Sequence, residues 1–99
     1  MIKKFYSDYV RHALRFYARN LKDPIFRCIA DRKNWYACDA VLNKHFPRYK
    51  DVLISVYESH DTIGDSVYET AKKYNIPQDN LWKMMGELEM FIAKERELI

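Results

Sequence analysis

The scarcity of glycine and proline most limits what this chain can fold into. Its 99 residues include 2 glycines and 3 prolines. Tight hairpin turns depend on such residues, so we expect few turns and long segments, which disfavours a sheet of many short strands. Apolar residues make up 48% of the chain and recur at spacings of three and four, the period of an amphipathic helix. The sequence therefore predicts an all-α fold: a small bundle of about five helices forming a single domain, residues 1–99.

Breaking residues divide this periodic pattern into five segments. The expected helices have these approximate bounds: Ile2–Leu21, Asp31–Phe46, Pro47–Ser59, Ile63–Tyr74 and a long fifth helix opened by Pro77. Asp31 is the expected N-cap of the second helix, and Thr62 with Asp65 resembles a capping box before the fourth. The third helix is expected to include Tyr49 in its apolar face. Pro24 to Ala30 is either a short helix or an apolar loop pressed on the core.

The last apolar residues extend beyond what two helices and a turn require. These residues are Phe91, Ile92, Leu98 and Ile99. We expect them to pack back on the first or second helix.

Residues Val67 to Met84 have the pattern of two helices joined by a short turn. Such a pair needs a small residue where the helices cross, a residue tolerant of positive φ in the turn, an apolar residue after it, and an apolar contact from the second helix. Ala71, Asn75, Ile76 and Leu81 meet these needs in that order. The sequence therefore predicts a C-terminal helix-turn-helix over about residues 62–92.

The segment from Val67 to Trp82 resembles the helix-turn-helix in the C-terminal region of sigma factors and related small bacterial regulators. It departs from the usual pattern at Thr70, where an aliphatic residue is common, and at Asn75, which replaces glycine. More loosely, the whole chain is similar to small sigma-like proteins carried by phages and mobile elements of low-GC Gram-positive bacteria. The resemblance implies a cytoplasmic, transcription-related protein that binds DNA.

The chemistry of DNA recognition indicates which residues of this motif would make contacts. The amides of Gln78 and Asn80 are suited to base edges near the start of the second helix. Lys83 on that helix, and Lys72 and Lys73 on the preceding one, are suited to phosphates. Only one cation stands among the outward positions of the second helix, so its own electrostatic attraction for DNA is weak.

The charge distribution offers a second candidate surface. Residues 1–50 contain 12 Lys and Arg against 4 Asp and Glu, a net charge of +8, whereas residues 51–99 have a net charge of −5 from 5 and 10. Arg11 and Arg15 lie close to one line of the first helix with Lys4 and Lys22. This stripe would follow a DNA backbone, meet an acidic protein such as a polymerase subunit, or simply form a solvated helix face.

A different class of function is indicated by Trp82. If exposed, it is more typical of a protein contact than of base reading. The alternative hypothesis is therefore a protein-interaction module that keeps the helix-turn-helix fold without DNA binding and holds a partner or a second copy of itself.

Other classes of function find little support in the sequence. The two cysteines, Cys28 and Cys38, fit no metal or redox spacing, and no glycine-rich phosphate loop is possible. No paired carboxylates or nucleophile motif indicates catalysis. No apolar run is long enough for a transmembrane helix. We expect no enzyme activity, no cofactor, no metal and no membrane partner.

Overall fold

The computed structural model describes residues 4–59 and 61–99, and over these ranges it contains five α-helices and no strand. The helices are α1 (Ser7–Arg19), α2 (Ile29–His45), α3 (Lys50–Ser59), α4 (Ile63–Tyr74) and α5 (Gln78–Glu95). The predicted all-α class and the number of helices are confirmed. Within the described ranges, no helix combines the length and the apolar character that crossing a membrane would require.

The first helix is shorter than predicted at its C-terminal end. Asn20 leaves the helical region at φ −135°, and its backbone N–H donates to the Tyr17 carbonyl. The Asn20 side-chain amide also donates to the Phe16 carbonyl at 2.8 Å, so it satisfies a carbonyl of the last turn. These bonds end α1 before Leu21. The predicted start at Ile2 lies outside the described residues.

The start of α2 was also predicted wrongly. The helix begins at Ile29 after an extended Cys28, so Asp31 lies in the first turn and is not the N-cap. Its carboxylate instead accepts from the backbone N–H and the Nε of Arg27, both at 3.3 Å. Residues 24–28 form a loop and not a short helix, but the loop is not pressed on the core throughout, since Ile25 is 81% exposed; Ile29 and Ala30 belong to α2. Phe26 anchors the loop, with its ring centroid 6.3 Å from that of Trp35.

Two smaller expectations around α3 and α4 are wrong as well. Residues 47–49 form a turn in which the Tyr49 N–H donates to the Phe46 carbonyl at 3.2 Å, so α3 begins at Lys50 and not at Pro47. Tyr49 consequently lies outside the helix and is 39% exposed. Thr62 is the N-cap of α4, but no side-chain hydrogen bond caps the helix, so the predicted capping box does not form.

One hydrophobic core receives side chains from all five helices. α1 packs against α2, α3 and α5, and α5 also packs against α2 and α4. The largest fully buried aliphatic side chains are Leu14, Leu42, Leu53, Leu81, Leu88 and Ile92. Each contributes roughly 1.5–3 kcal/mol by leaving water, so these contacts are what hold α5 against the other helices.

The end of α5 packs back on the fold, as expected for three of its four apolar residues. Ile92 is buried, Leu98 packs against the core, and the Phe91 ring stacks on His45 with centroids 4.1 Å apart. The Leu98 N–H donates to the Ala93 carbonyl at 2.7 Å and turns the chain inward. Ile99 is 52% exposed, so the expectation for this residue is wrong.

Candidate nucleic-acid interface

The turn between α4 and α5 has the geometry that its sequence predicts. Asn75 adopts a left-handed conformation, φ 54° and ψ 51°, and its N–H donates to the Ala71 carbonyl. The Ile76 N–H donates to the same carbonyl at 2.9 Å, which is the longer bond of a Schellman motif. Ala71 and Leu81 are buried, and Ile76 packs against the core. Three residues, 75–77, therefore connect the two helices and fix where α5 begins.

The first turns of α5 present polar side chains to solvent. Gln78, Asn80 and Lys83 are all exposed, and so is Asp79 between the two amides. Pro77 occupies the N-cap and makes no side-chain cap bond. The helix therefore begins with backbone N–H groups that lack an intrahelical partner, at the positive end of its dipole. The backbone dipole at this end of α5 favours an anionic ligand, whereas the exposed Asp79 carboxylate opposes one.

A shallow groove of about 480 Å³ runs beside this end of α5. Asn80 and Lys83 form part of one wall, and Tyr49, from the turn before α3, also lines it. Tyr49 was expected in the apolar face of α3. Tyr49 and Asn80 line the same groove although they are some 30 residues apart in the sequence, so no local sequence pattern predicts that they lie close together.

The lysines of the motif are accessible. Lys72 and Lys73 are exposed in the last turn of α4, and the Lys73 Nζ lies 5.3 Å from the centroid of the Tyr74 ring. Lys83 lines a second cavity of about 320 Å³ together with Lys4, which precedes α1. Lys4 is thus the member of the predicted basic stripe that reaches the N-terminal half of α5.

Arg11 has internal partners. Its Nε donates to Glu89 Oε2 at 2.9 Å, and the Tyr57 hydroxyl donates to the same oxygen at 2.7 Å. The Glu89 side chain is 4% exposed and that of Arg11 is 19% exposed, so this ion pair is largely removed from water. Burial, followed by the proximity of Glu89, raises the pKa of Tyr57 well above its ordinary value. This network joins α1, α3 and α5 inside the protein.

Arg15 is also bonded within the chain. Its Nη2 donates to the Asp61 carbonyl at 2.9 Å, just before α4. The structure therefore places Arg11 and Arg15 in contacts between elements of the fold and does not place them beside Gln78 or Asn80. Sequence reasoning treated them as one charged stripe and missed Glu89, which follows Leu88 in the apolar pattern of α5.

Trp82 is partly buried. It packs against the hydrophobic core and lines the same cavity as Lys4 and Lys83. Only part of its side chain is therefore available to another molecule.

The described residues offer no group of three potential metal ligands. Comparison of the chain with models of known protein families, with curated proteins and with solved structures finds no match.

Proposed function

We propose that this chain is a small transcription-related DNA-binding protein that uses α4 and α5 as a helix-turn-helix. The observation that carries the proposal is the left-handed turn at Asn75. It starts α5 abruptly, with Gln78, Asn80 and Lys83 exposed in the first two turns of the helix. A bacterial or phage origin and a cytoplasmic location, which the resemblance to sigma factors implies, belong to the same proposal.

The roles follow from the chemistry of each side chain. The N-terminal turns of α5 enter the major groove, where Gln78 and Asn80 each offer an amide that can pair with adenine. Lys72, Lys73 and Lys83 neutralise phosphates on either side. Arg11 and Arg15 bond to other elements of the fold, so this proposal assigns them no contact with DNA.

The first test is a titration of fluorescently labelled duplex DNA, followed by anisotropy and repeated at several salt concentrations. Three phosphate contacts predict a slope of about −2.7 for log K against log salt, or roughly 40-fold weaker binding at about 200 mM than at about 50 mM salt. Absence of binding at micromolar protein, or binding that does not respond to salt, would contradict the proposal.

The alternative is a protein-interaction module that keeps this fold without binding DNA. It is favoured by two exposed carboxylates that repel phosphate, Asp79 in the first turn of α5 and Glu87 one turn after Lys83. In this alternative the accessible part of Trp82 contacts a protein partner or a second copy of the chain. It predicts no shift of duplex DNA, together with a complex that the Trp82→Ala variant fails to form.

A further inference from the structure

A separate open groove lies at the opposite end of α5, between that end and α2. Its volume is about 700 Å³. Its lining includes Arg32 and Lys33 from α2, Glu95 at the end of α5, and Glu97 two residues beyond it. α5 has 18 residues, so this groove is about 27 Å along the helix from Gln78.

Apolar side chains stand exposed in this groove. Ile29 is 73% exposed and Tyr36 is 54% exposed, and both lie on the outward side of α2. Between the charged residues the surface is lined by Ala37 and Ala40, whose small side chains allow another backbone to approach closely. Large apolar side chains grouped on a surface with a polar rim are typical of a protein-interaction site.

Each wall of the groove carries charges of both signs: Arg32, Lys33 and Asp39 on the α2 wall, and Glu95, Arg96 and Glu97 on the α5 wall. Asp39 is engaged within the chain, since it accepts from the Tyr17 hydroxyl at 2.7 Å and lies 3.8 Å from Lys50 Nζ. Apart from Asp39 and Arg96, the charges are cationic on the α2 wall, at Arg32 and Lys33, and anionic on the α5 wall, at Glu95 and Glu97. Among the described residues, none of the four has an ion-pair partner. Arg96, which stands between the two glutamates, instead donates from its Nε to Asn34 Oδ1 at 2.6 Å.

All four charges also oppose the dipoles of their own helices. Arg32 and Lys33 are the fourth and fifth residues of α2, near its positive N-terminal end. Glu95 is the last residue of α5 and Glu97 follows it, at the negative end of that dipole. Glu97 moreover holds a left-handed conformation, φ 57°, which is unfavourable for a residue with a side chain. All four side chains are exposed and hydrated in the free chain, so they are available to pair with an oppositely charged surface of another molecule.

We propose that the occupant of this groove is a second copy of this chain, related by a two-fold axis. In a two-fold interface the same surface meets itself, so each cationic α2 wall faces the partner's anionic α5 wall. Both unfavourable sets of charges are then neutralised at once, and Ile29 and Tyr36 are removed from water. The groove lies far from Gln78, so the dimer leaves the N-terminal end of α5 open, and the inference does not depend on DNA binding.

The test is sedimentation velocity without DNA on the full chain and on two charge-reversal variants. One variant is Arg32→Glu with Lys33→Glu, and the other is Glu95→Lys with Glu97→Lys. We expect the unmodified chain to sediment as a dimer at high micromolar concentration and each variant to sediment as a monomer. An equimolar mixture of the two variants should sediment as a dimer again, because the reversed walls complement each other in both contacts.

Three outcomes would overturn this inference: a monomeric unmodified chain, a dimer that survives in either variant, or a mixture that stays monomeric. All four residues are at the surface, so circular dichroism is expected to show folded variants. Ile29→Ser is a second variant that alters no charge. It should weaken the dimer, and a dimer of unchanged affinity would count against the groove as the interface.

Discussion

Arg11 and Arg15 of α1 carry the same charge as the lysines beside the α4–α5 turn, in different surroundings. Arg11 is bonded to a buried carboxylate, and Arg15 to a backbone carbonyl. Lys72 and Lys83 are exposed, and among the described residues neither has a carboxylate partner. The first pair serves to connect helices, whereas the second is open to a ligand. Positive charge in a sequence therefore identifies a binding surface only when internal acceptors do not already engage it.

The largest expected effect concerns the largely buried ion pair between Arg11 and Glu89. Glu89→Ala leaves the Arg11 guanidinium largely buried without its counter-charge and the Tyr57 hydroxyl without its acceptor. We expect a loss of about 3–5 kcal/mol in the free energy of unfolding, measured by urea denaturation. Because the penalty comes from the unpaired charge, the double variant Glu89→Leu with Arg11→Met should be markedly more stable than Glu89→Ala. A Glu89→Ala protein as stable as the unmodified chain would show that the pair contributes nothing.

The next prediction concerns the exposed lysines and compares two pairs of equal charge. Lys72→Ala with Lys83→Ala should reduce the salt slope of duplex binding by about 2, since each lost phosphate contact removes about 0.9. The control, Lys22→Ala with Lys44→Ala, changes the net charge equally at exposed sites away from the start of α5. It should leave the slope nearly unchanged. Equal effects of the two pairs would mean that binding follows net charge and not this surface.

A smaller effect is expected at the turn that positions α5. A β-branched residue does not tolerate the left-handed conformation of Asn75, so Asn75→Val should lower stability by about 1–2 kcal/mol in thermal denaturation. Asn75→Gly is the matched control, because glycine adopts this conformation without penalty, and it should match or exceed the stability of the unmodified chain. If valine and glycine behave alike, the turn does not require the left-handed residue.

The smallest effect concerns alkaline pH. Burial raises the pKa of the Cys38 thiol from 9.0 to about 12, and the proximity of Asp39 acts in the same direction. In the unfolded chain the thiol ionises at lower pH, so the stability gained by keeping it neutral is present below about pH 9 and is lost as pH rises towards 12. Burial raises the pKa of Tyr57 as well, so it acts in the same direction.

Urea denaturation at about pH 8 and about pH 10, on either side of the usual thiol pKa, measures this loss. Cys38→Ala should show a slightly smaller decrease between the two pH values than the unmodified chain. An identical decrease in both proteins would assign the alkaline sensitivity to other groups.

Local chemistry explains why part of this structure is predictable from the sequence. The periodic apolar residues indicate five helices, and the turn at Asn75 and Ile76 follows from the conformational needs of neighbouring residues. Both depend on contacts within a few positions of the chain. Helix starts were less predictable: α2 begins at Ile29 after Cys28, which makes no side-chain cap bond, and α3 begins at Lys50 after a turn and not at the proline.

The ion pair between Arg11 and Glu89 was not predictable from a local sequence pattern. Arg11 and Glu89 are 78 positions apart, and their pairing depends on how α1 packs against α5. The sequence did contain one indication: Glu89 stands four residues after Met85 and three before Ile92, within the apolar face of α5. A carboxylate in such a position requires a buried partner. The candidate surface itself, formed by Gln78, Asn80 and the lysines, was predictable because it belongs to one continuous segment.

The most direct measurement is the change in backbone amide NMR shifts when duplex DNA is added to the full chain at low salt. The proposed function predicts that the largest changes fall between Lys72 and Lys83, with smaller ones at Tyr49, which shares the groove. Amides near Arg11 and Arg15 in α1 should change little. Changes centred on α1, or no changes at a saturating concentration of DNA, would contradict the assignment of DNA binding to the start of α5.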